Sequence, residues 1–174
     1  MKRFRKITVL ICALISAMTI TSFSDQYDTN AKIKALYMYN FAKYIEWPAD
    51  YKQGDFIIGV IGDSPVLTNL VTMAKVKKVF NQSIKVVKYN SPSEIKKCHM
   101  LLVPSNNASI LSQCVRQTSD KSTLIVTDKT GLGNASSINF VIVNRKQKFE
   151  LNKSNVSKQN LTVSSNLLKL AIVI

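Results

Sequence analysis

A chain of 174 residues, of which 46% are apolar and 20% charged, can fill the hydrophobic core of one domain or at most two small ones. This composition excludes a largely disordered protein, and five glycines with four prolines exclude a collagen-like or low-complexity array. The chain has 24 Lys and Arg residues against ten Asp and Glu residues, so its net charge is +14.

The first 24 residues have the pattern of a secretory signal. Four basic residues lie within Met1–Lys6, an apolar run follows from Ile7 to Ile20, and small residues stand at Ser22 and Ser24. This order predicts cleavage after Ser24 and export to the periplasm. An uncleaved anchor is the alternative, but the run is shorter than the roughly 20 residues of a spanning helix. We therefore expect one domain over residues 25–174, with no stable membrane insertion.

Export changes what the positive charge implies. Four of the 24 basic residues and none of the ten acids lie in the predicted signal, so the exported chain carries +10. Inside a cell this charge would suggest nucleic acid, which we exclude as a partner in the periplasm. Acidic protein surfaces, anionic lipid and cell-wall polymer remain as candidates. The densest basic cluster is Lys75, Lys77 and Lys78, for which a solvated surface is the simplest interpretation.

The first predicted element of the domain is a helix over residues 28–46, because apolar residues recur there at three- and four-residue spacing. Pro48 ends this helix, since the residue before a proline avoids the helical conformation. The apolar run Phe56–Ile61 predicts a buried strand. Asp63–Pro65 then predicts the cap and first position of a second helix, which ends near Lys78.

Strands and helices continue to alternate along the rest of the chain. Strands are predicted at 83–89, 100–103, 122–127, 138–143 and 146–151, and helices at 91–97, 105–117 and 161–174. Fully apolar strands are typical of a sheet that is covered on both faces. The pattern therefore predicts a single-domain α/β fold, with a three-layer Rossmann-like sheet that is mostly parallel and an antiparallel C-terminal hairpin around Asn144-Arg145.

Two cysteines remain after the predicted signal is removed. Cys98 stands at the start of a predicted strand, and Cys114 lies late in the helix that returns antiparallel to it. An even number of cysteines in an oxidising compartment, with matched strand and helix lengths, predicts a Cys98–Cys114 disulfide. Two buried thiols are the alternative.

No constellation of residues in the sequence indicates catalysis or a cofactor. The only histidine, His99, follows Cys98 directly, and neighbours on a strand point to opposite faces, so a Cys–His catalytic pair is not expected. One histidine and a disulfide leave no zinc or copper ligand set. The Gly59–Gly62 turn lacks the full glycine fingerprint of a nucleotide site, and helix capping explains it. We therefore expect no enzyme, no metal and no cofactor.

One segment resembles a known family. Lys34-Ala-Leu-Tyr-Met-Tyr-Asn-Phe-Ala-Lys-Tyr-Ile-Glu-Trp-Pro48 is similar to the first helix of YfiR/HmsC-type periplasmic regulators, which reads much like K-A-x-x-x-x-N-F-x-K-[FY]-x-x-W-P. Further family features follow in order: Ile61-Gly-Asp63, Cys98-His99, Leu124-Ile-Val-Thr-Asp128, Ile138-Asn-Phe-Val141, Phe149-Glu-Leu-Asn152 and Ser164-Ser-Asn-Leu-Leu-Lys-Leu-Ala171.

The resemblance implies a periplasmic, non-enzymatic repressor. Such a protein binds the periplasmic sensor domain of a membrane diguanylate cyclase, lowering cyclic di-GMP and biofilm formation. The motif residues are then either core residues or partner contacts: Asn40, Phe41, Glu46, Trp47 and Pro48. The resemblance is also compatible with a homodimer. The second disulfide of some members is missing, because no cysteine follows Cys114. The alternative function is a small-molecule-binding module that uses the crevice at the carboxyl ends of the strands.

Overall fold

The computed structural model describes residues 29–174, so the predicted signal at 1–24 lies outside the described residues. The helices are α1 (residues 29–44), α2 (Pro65–Ala74), α3 (Leu111–Gln117), α4 (Lys153–Lys158) and α5 (Ser165–Leu170). The strands are β1 (Ile45–Glu46), β2 (Phe56–Ile61), β3 (Lys78–Val79), β4 (Gln82–Tyr89), β5 (Met100–Val103), β6 (Leu124–Thr127), β7 (Ile138–Val143), β8 (Lys146–Leu151), β9 (Thr162–Val163) and β10 (Ile172–Val173).

The main sheet has eight strands in the order β10-β8-β7-β6-β5-β2-β4-β3, and β1 pairs with β9 in a separate two-stranded ribbon. Strands β4, β2, β5, β6 and β7 are parallel, whereas β3, β8 and β10 run against them. The α/β class and the hairpin of β7 and β8 are as predicted. The prediction of a mostly parallel sheet is wrong, since the sheet is mixed, and the Rossmann-like arrangement stays a prediction. Edge strands of two residues are too short to produce an alternating pattern.

The parallel strands are buried on both faces. Along β5, Met100 and Leu102 belong to one hydrophobic cluster while Leu101 and Val103 belong to another, because successive side chains of a strand point to opposite faces. The first core cluster is covered by α1, whose Phe41 is fully buried. The second core cluster is covered by α3.

Local sequence chemistry explains two of the element boundaries. Ser64 caps α2, because its side chain accepts a hydrogen bond from Val66 N, and Pro65 takes the first helical position as predicted. The turn of the hairpin places Asn144 and Arg145 at φ 50° and 60°, the left-handed conformation that matches the twist of paired strands.

The C-terminal segment differs from the predicted amphipathic helix over 161–174. It forms β9, then α5, then β10, and Ser164 caps α5 by accepting a hydrogen bond from Leu167 N. The β-branched pairs on either side of α5 favour strands and pair with other parts of the chain, which confines the helix to six residues. Among residues 29–174, every helix is too short or too polar to span a bilayer.

Candidate functional site

A cavity of about 580 Å³ lies at the amino ends of the parallel strands. It is bounded by the end of α1, the ribbon of β1 and β9, the loop before β2 and the turn between β3 and β4. Its lining residues are Ala42, Lys43, Tyr44, Ile45, Glu46, Trp47, Tyr51, Lys52, Phe56, Val79, Phe80, Asn81, Gln82, His99, Thr162, Val163 and Ser164. The end of the first-helix motif therefore forms one wall of this cavity.

The wall that faces the motif comes from the far end of the chain. Ile45 pairs with Val163 and Glu46 with Thr162 in an antiparallel register. Ser164 N also donates a hydrogen bond to the carbonyl oxygen of Tyr44 at 3.0 Å. These contacts hold residues 162–164 against the end of α1, so two segments more than 100 residues apart in the sequence define one concave surface.

Four aromatic side chains pack together on the inner side of the cavity. The Trp47 ring meets the Phe56 ring edge-on with the centroids 5.1 Å apart, and the His99 ring stacks on Phe56 at 4.1 Å. Tyr51 meets His99 edge-on at 5.2 Å. Trp47 is 5% exposed, and its indole N–H donates to the carbonyl oxygen of His99 at 3.3 Å. Packed aromatic rings with a satisfied N–H make a rigid inner wall for the cavity.

His99 is a neutral, fully hydrogen-bonded core residue. Its Nδ1 accepts a hydrogen bond from Ile57 N at 3.0 Å, so the proton is on Nε2, which donates to the carbonyl oxygen of Tyr51 at 2.7 Å. Burial lowers the pKa of His99 below its usual value of 6.5, because the charged imidazolium would lose its hydration. The side chain of Cys98 lies in the second core cluster, on the opposite face, so the two side chains do not form a catalytic pair.

We expect His99→Asn to remove part of the pH dependence of stability. The unfolded histidine binds a proton below about pH 6.5, whereas the lowered pKa of the folded His99 delays protonation to a lower pH, so the free energy of unfolding should fall as the pH drops below about 6.5. Asparagine can still accept the Ile57 N–H but does not titrate. Urea unfolding of both proteins between about pH 7.5 and about pH 5 measures the two slopes. Since His99 is the only histidine, equal slopes would contradict this assignment.

Two polar residues of the site were not singled out from the sequence. Gln82 is buried, and its side-chain amide donates to the carbonyl oxygens of Tyr51 at 3.0 Å and of Gly54 at 3.3 Å. The Tyr51 hydroxyl accepts a hydrogen bond from Ser122 N at 3.1 Å. Gln82 and Tyr51 therefore attach the loop before β2 to the sheet. Gln82 directly precedes the predicted alternating strand 83–89, and no sequence pattern marks it as buried.

The five motif residues differ in how deeply the structure buries them. Phe41 and Trp47 are buried, and Pro48 is half-buried and accepts a hydrogen bond from Tyr51 N at the start of a short 3₁₀ helix. Asn40 is half-buried, whereas Glu46 is exposed at the cavity and pairs with Lys52 at 3.2 Å. Glu46 is therefore not a core residue.

The predicted disulfide is not formed. Cys98 and Cys114 are both buried free thiols in the second core cluster. The Thr123 hydroxyl donates a hydrogen bond to the carbonyl oxygen of Cys98 at 2.7 Å. Burial raises the pKa of Cys98 to about 12 and that of Cys114 to about 11. Thiols with such pKa values are protonated at neutral pH and are weak nucleophiles.

A second cavity, of about 350 Å³, lies at the carboxyl ends of the strands, where the sequence places a ligand crevice. Asp63, Ser105 and Asp128 line it. Lys34 of α1 reaches across to Asp128, and the Lys34 Nζ and Asp128 Oδ2 atoms are 2.8 Å apart. Asp128 Oδ1 also accepts a hydrogen bond from Ser105 N at 2.6 Å. Asp63 pairs with Lys88 outside the crevice, so Lys34, Asp63 and Asp128 all have partners of opposite charge. Within residues 29–174, no three His, Cys, Asp or Glu residues are grouped so that they could hold a metal ion.

A comparison with known protein families identifies the family of this chain. A sequence model described as YfiR/HmsC-like matches residues 31–172, nearly all of the described chain. The chain belongs to the YfiR/HmsC-like family. The match includes the cavity wall at 45–47 and the opposing segment at 162–164. At the level of the family, membership supports a periplasmic, regulatory role in cyclic di-GMP signalling.

Solved structures add evidence on the fold alone. This YfiR/HmsC-like chain is similar to the crystal structure of a conserved domain protein from Vibrio cholerae O1 biovar El Tor, with a TM-score of 0.51 and 10% sequence identity. The similarity covers 68% of this chain but only 54% of that protein. No curated protein matches the sequence.

Proposed function

We propose that this protein is a periplasmic repressor without enzymatic activity. It binds the periplasmic sensor domain of an inner-membrane diguanylate cyclase and holds the cyclase inactive, so that cyclic di-GMP and biofilm formation fall. The observation that carries this proposal is the family match over residues 31–172. The export signal predicted at residues 1–24 places the chain in the compartment of the sensor domain.

Repression requires a difference in affinity between two states of the partner. A protein that binds the active and inactive cyclase equally well shifts no equilibrium, however tightly it binds. The buried aromatic cluster of Trp47, Phe56 and His99 holds the surrounding surface rigid, which suits such discrimination because a preformed surface loses little entropy on binding. The net charge of +10 predicted for the exported chain speeds encounter with an acidic sensor domain and makes it dependent on salt.

Gene deletion tests this proposal. We expect the cyclic di-GMP level to rise in the deletion strain, because the cyclase loses its repressor. The full chain should restore the low level, whereas a version without residues 1–24, retained in the cytoplasm, should not. An unchanged level in a strain that normally expresses the protein would refute the proposal, as would full complementation by the cytoplasmic version.

A small-molecule-binding module is the second candidate, and the 580 Å³ cavity favours it. Cavities of this size with aromatic walls and a few polar groups are typical of ligand sites. The cavity lies at the amino ends of the strands, opposite the crevice expected from the sequence. Mass spectrometry of protein denatured after purification from the periplasm would reveal a bound metabolite, and this result would favour the second candidate.

A further inference from the structure

One edge of the main sheet carries both charge and exposed apolar side chains. Lys75, Lys77 and Lys78 are exposed between the end of α2 and β3. Among them, Val76 is 78% exposed, and Phe80, in the turn after β3, is 71% exposed. We call these five residues the β3 edge patch. Apolar side chains this exposed, flanked by lysines, differ from an ordinary solvated surface.

The positive charge of this edge has almost no acidic counterpart nearby. Residues 64–93 contain five lysines and no Asp or Glu, and of those lysines only Lys88 forms an ion pair within residues 29–174, with Asp63. Lys43 of α1 extends the charge, because its Nζ lies 5.6 Å from the centre of the Tyr39 ring, whose hydroxyl donates to the Lys78 carbonyl oxygen. A cluster of exposed cations without ion pairs is complementary to an anionic surface.

The backbone at Phe80 indicates that this residue is not there for stability. Phe80 has φ 52°, the left-handed region, which glycine adopts without strain and bulky residues avoid. An exposed ring gains little packing energy to offset that strain. Strained backbone retained without compensating contacts is a feature of functional sites.

We propose that the β3 edge patch docks this protein onto an anionic lipid bilayer. The lysines contact lipid phosphates, and Phe80 and Val76 enter the interface between headgroups and acyl chains. Binding is peripheral and reversible, because two side chains bury far less apolar area than a spanning helix. The proposal is independent of the proposed function, since it requires no protein partner. An acidic protein surface is the competing occupant, and the test below includes it.

The test is vesicle cosedimentation of protein purified from the periplasmic fraction. At about 0.1 M salt, we expect binding to vesicles of phosphatidylethanolamine and phosphatidylglycerol but not to vesicles of phosphatidylcholine. The triple variant Lys75→Gln/Lys77→Gln/Lys78→Gln should bind about a hundredfold more weakly, at about fivefold per lysine, with a reduced salt dependence. Phe80→Gly should bind about five- to tenfold more weakly with an unchanged salt dependence and no loss of thermal stability.

The control variant removes the same charge elsewhere. Lys129, Lys153 and Lys158 are exposed and have no ion pair within residues 29–174, so replacing all three by glutamine tests net charge alone and should change binding much less. Equal losses in the two triple variants would overturn the proposal. So would absent vesicle binding by the unmodified protein. Binding to an isolated cyclase sensor domain that is lost in the patch variant, with vesicle binding retained, would assign the patch to a protein partner instead.

Discussion

Replacing Phe41 by alanine is expected to lower the free energy of unfolding by about 3–5 kcal/mol. The Phe41 ring is fully buried, and its centroid lies 4.9 Å from that of Phe149 and 5.8 Å from that of Phe140. It joins α1 to the hairpin of β7 and β8, so its removal leaves a cavity between two elements that pack on the same face of the sheet. Urea denaturation followed by circular dichroism measures the effect.

Leu36→Ala is the matched control for Phe41→Ala. Leu36 lies on the same helix but is 57% exposed, so its truncation should cost less than about 0.5 kcal/mol. Similar losses in both variants would contradict a specific role for the packing of the Phe41 ring, since alanine favours a helix more than either residue it replaces.

The second large effect is expected for Asp128→Asn, which should destabilise the protein by about 2–3 kcal/mol. The Asp128 side chain is 9% exposed and its partner Lys34 is 19% exposed, so the substitution leaves a largely buried ammonium without its counter-charge. Thermal and urea unfolding at neutral pH measure the loss. The matched control is Asp63→Asn, which removes an 88% exposed partner of Lys88 and should change stability by less than about 0.5 kcal/mol.

A double-mutant cycle separates the ion pair from other effects of Asp128. Combining Asp128→Asn with Lys34→Met removes both charges, so part of the lost stability should return. If the effects of the two substitutions simply add, the pair does not account for the loss, and the hydrogen bond from Ser105 N to Asp128 becomes the remaining cause.

Several segments that carry the family resemblance meet in the folded chain. Lys34 is the first residue of the first-helix motif, and Asp128 is the last residue of the motif Leu124-Ile-Val-Thr-Asp128. These two residues form the ion pair described above. Asn139 donates a hydrogen bond to Glu150 at 2.9 Å, which links two further motifs across β7 and β8. These residues therefore hold separate segments of the fold together, whereas Lys43 and Glu46 of the first-helix motif are exposed at the candidate site.

Local patterns were enough to predict the centre of the fold and several boundaries. The apolar runs of β2 and β5 predicted strands buried on both faces, since an uninterrupted apolar run is typical of a strand at the centre of a covered sheet. Ser64-Pro65 predicted the start of α2, and Asn144-Arg145 predicted the hairpin turn, because capping and turn conformation depend on a few adjacent residues.

Long-range contacts decided the rest. The candidate cavity brings together segments at 44–47, 79–82 and 162–164, and no local pattern encodes their meeting. The paired strands β1 and β9 have two residues each, too few to show the alternation of a strand. They form only because they pair with each other in the folded chain. The thiol state of Cys98 and Cys114 likewise depends on the direction of each side chain in the packed core, which parity and element lengths do not specify. The sequence by itself thus determined the class of the fold and the family, whereas the tertiary structure decided the order of the edge strands, the cavity and the state of the cysteines.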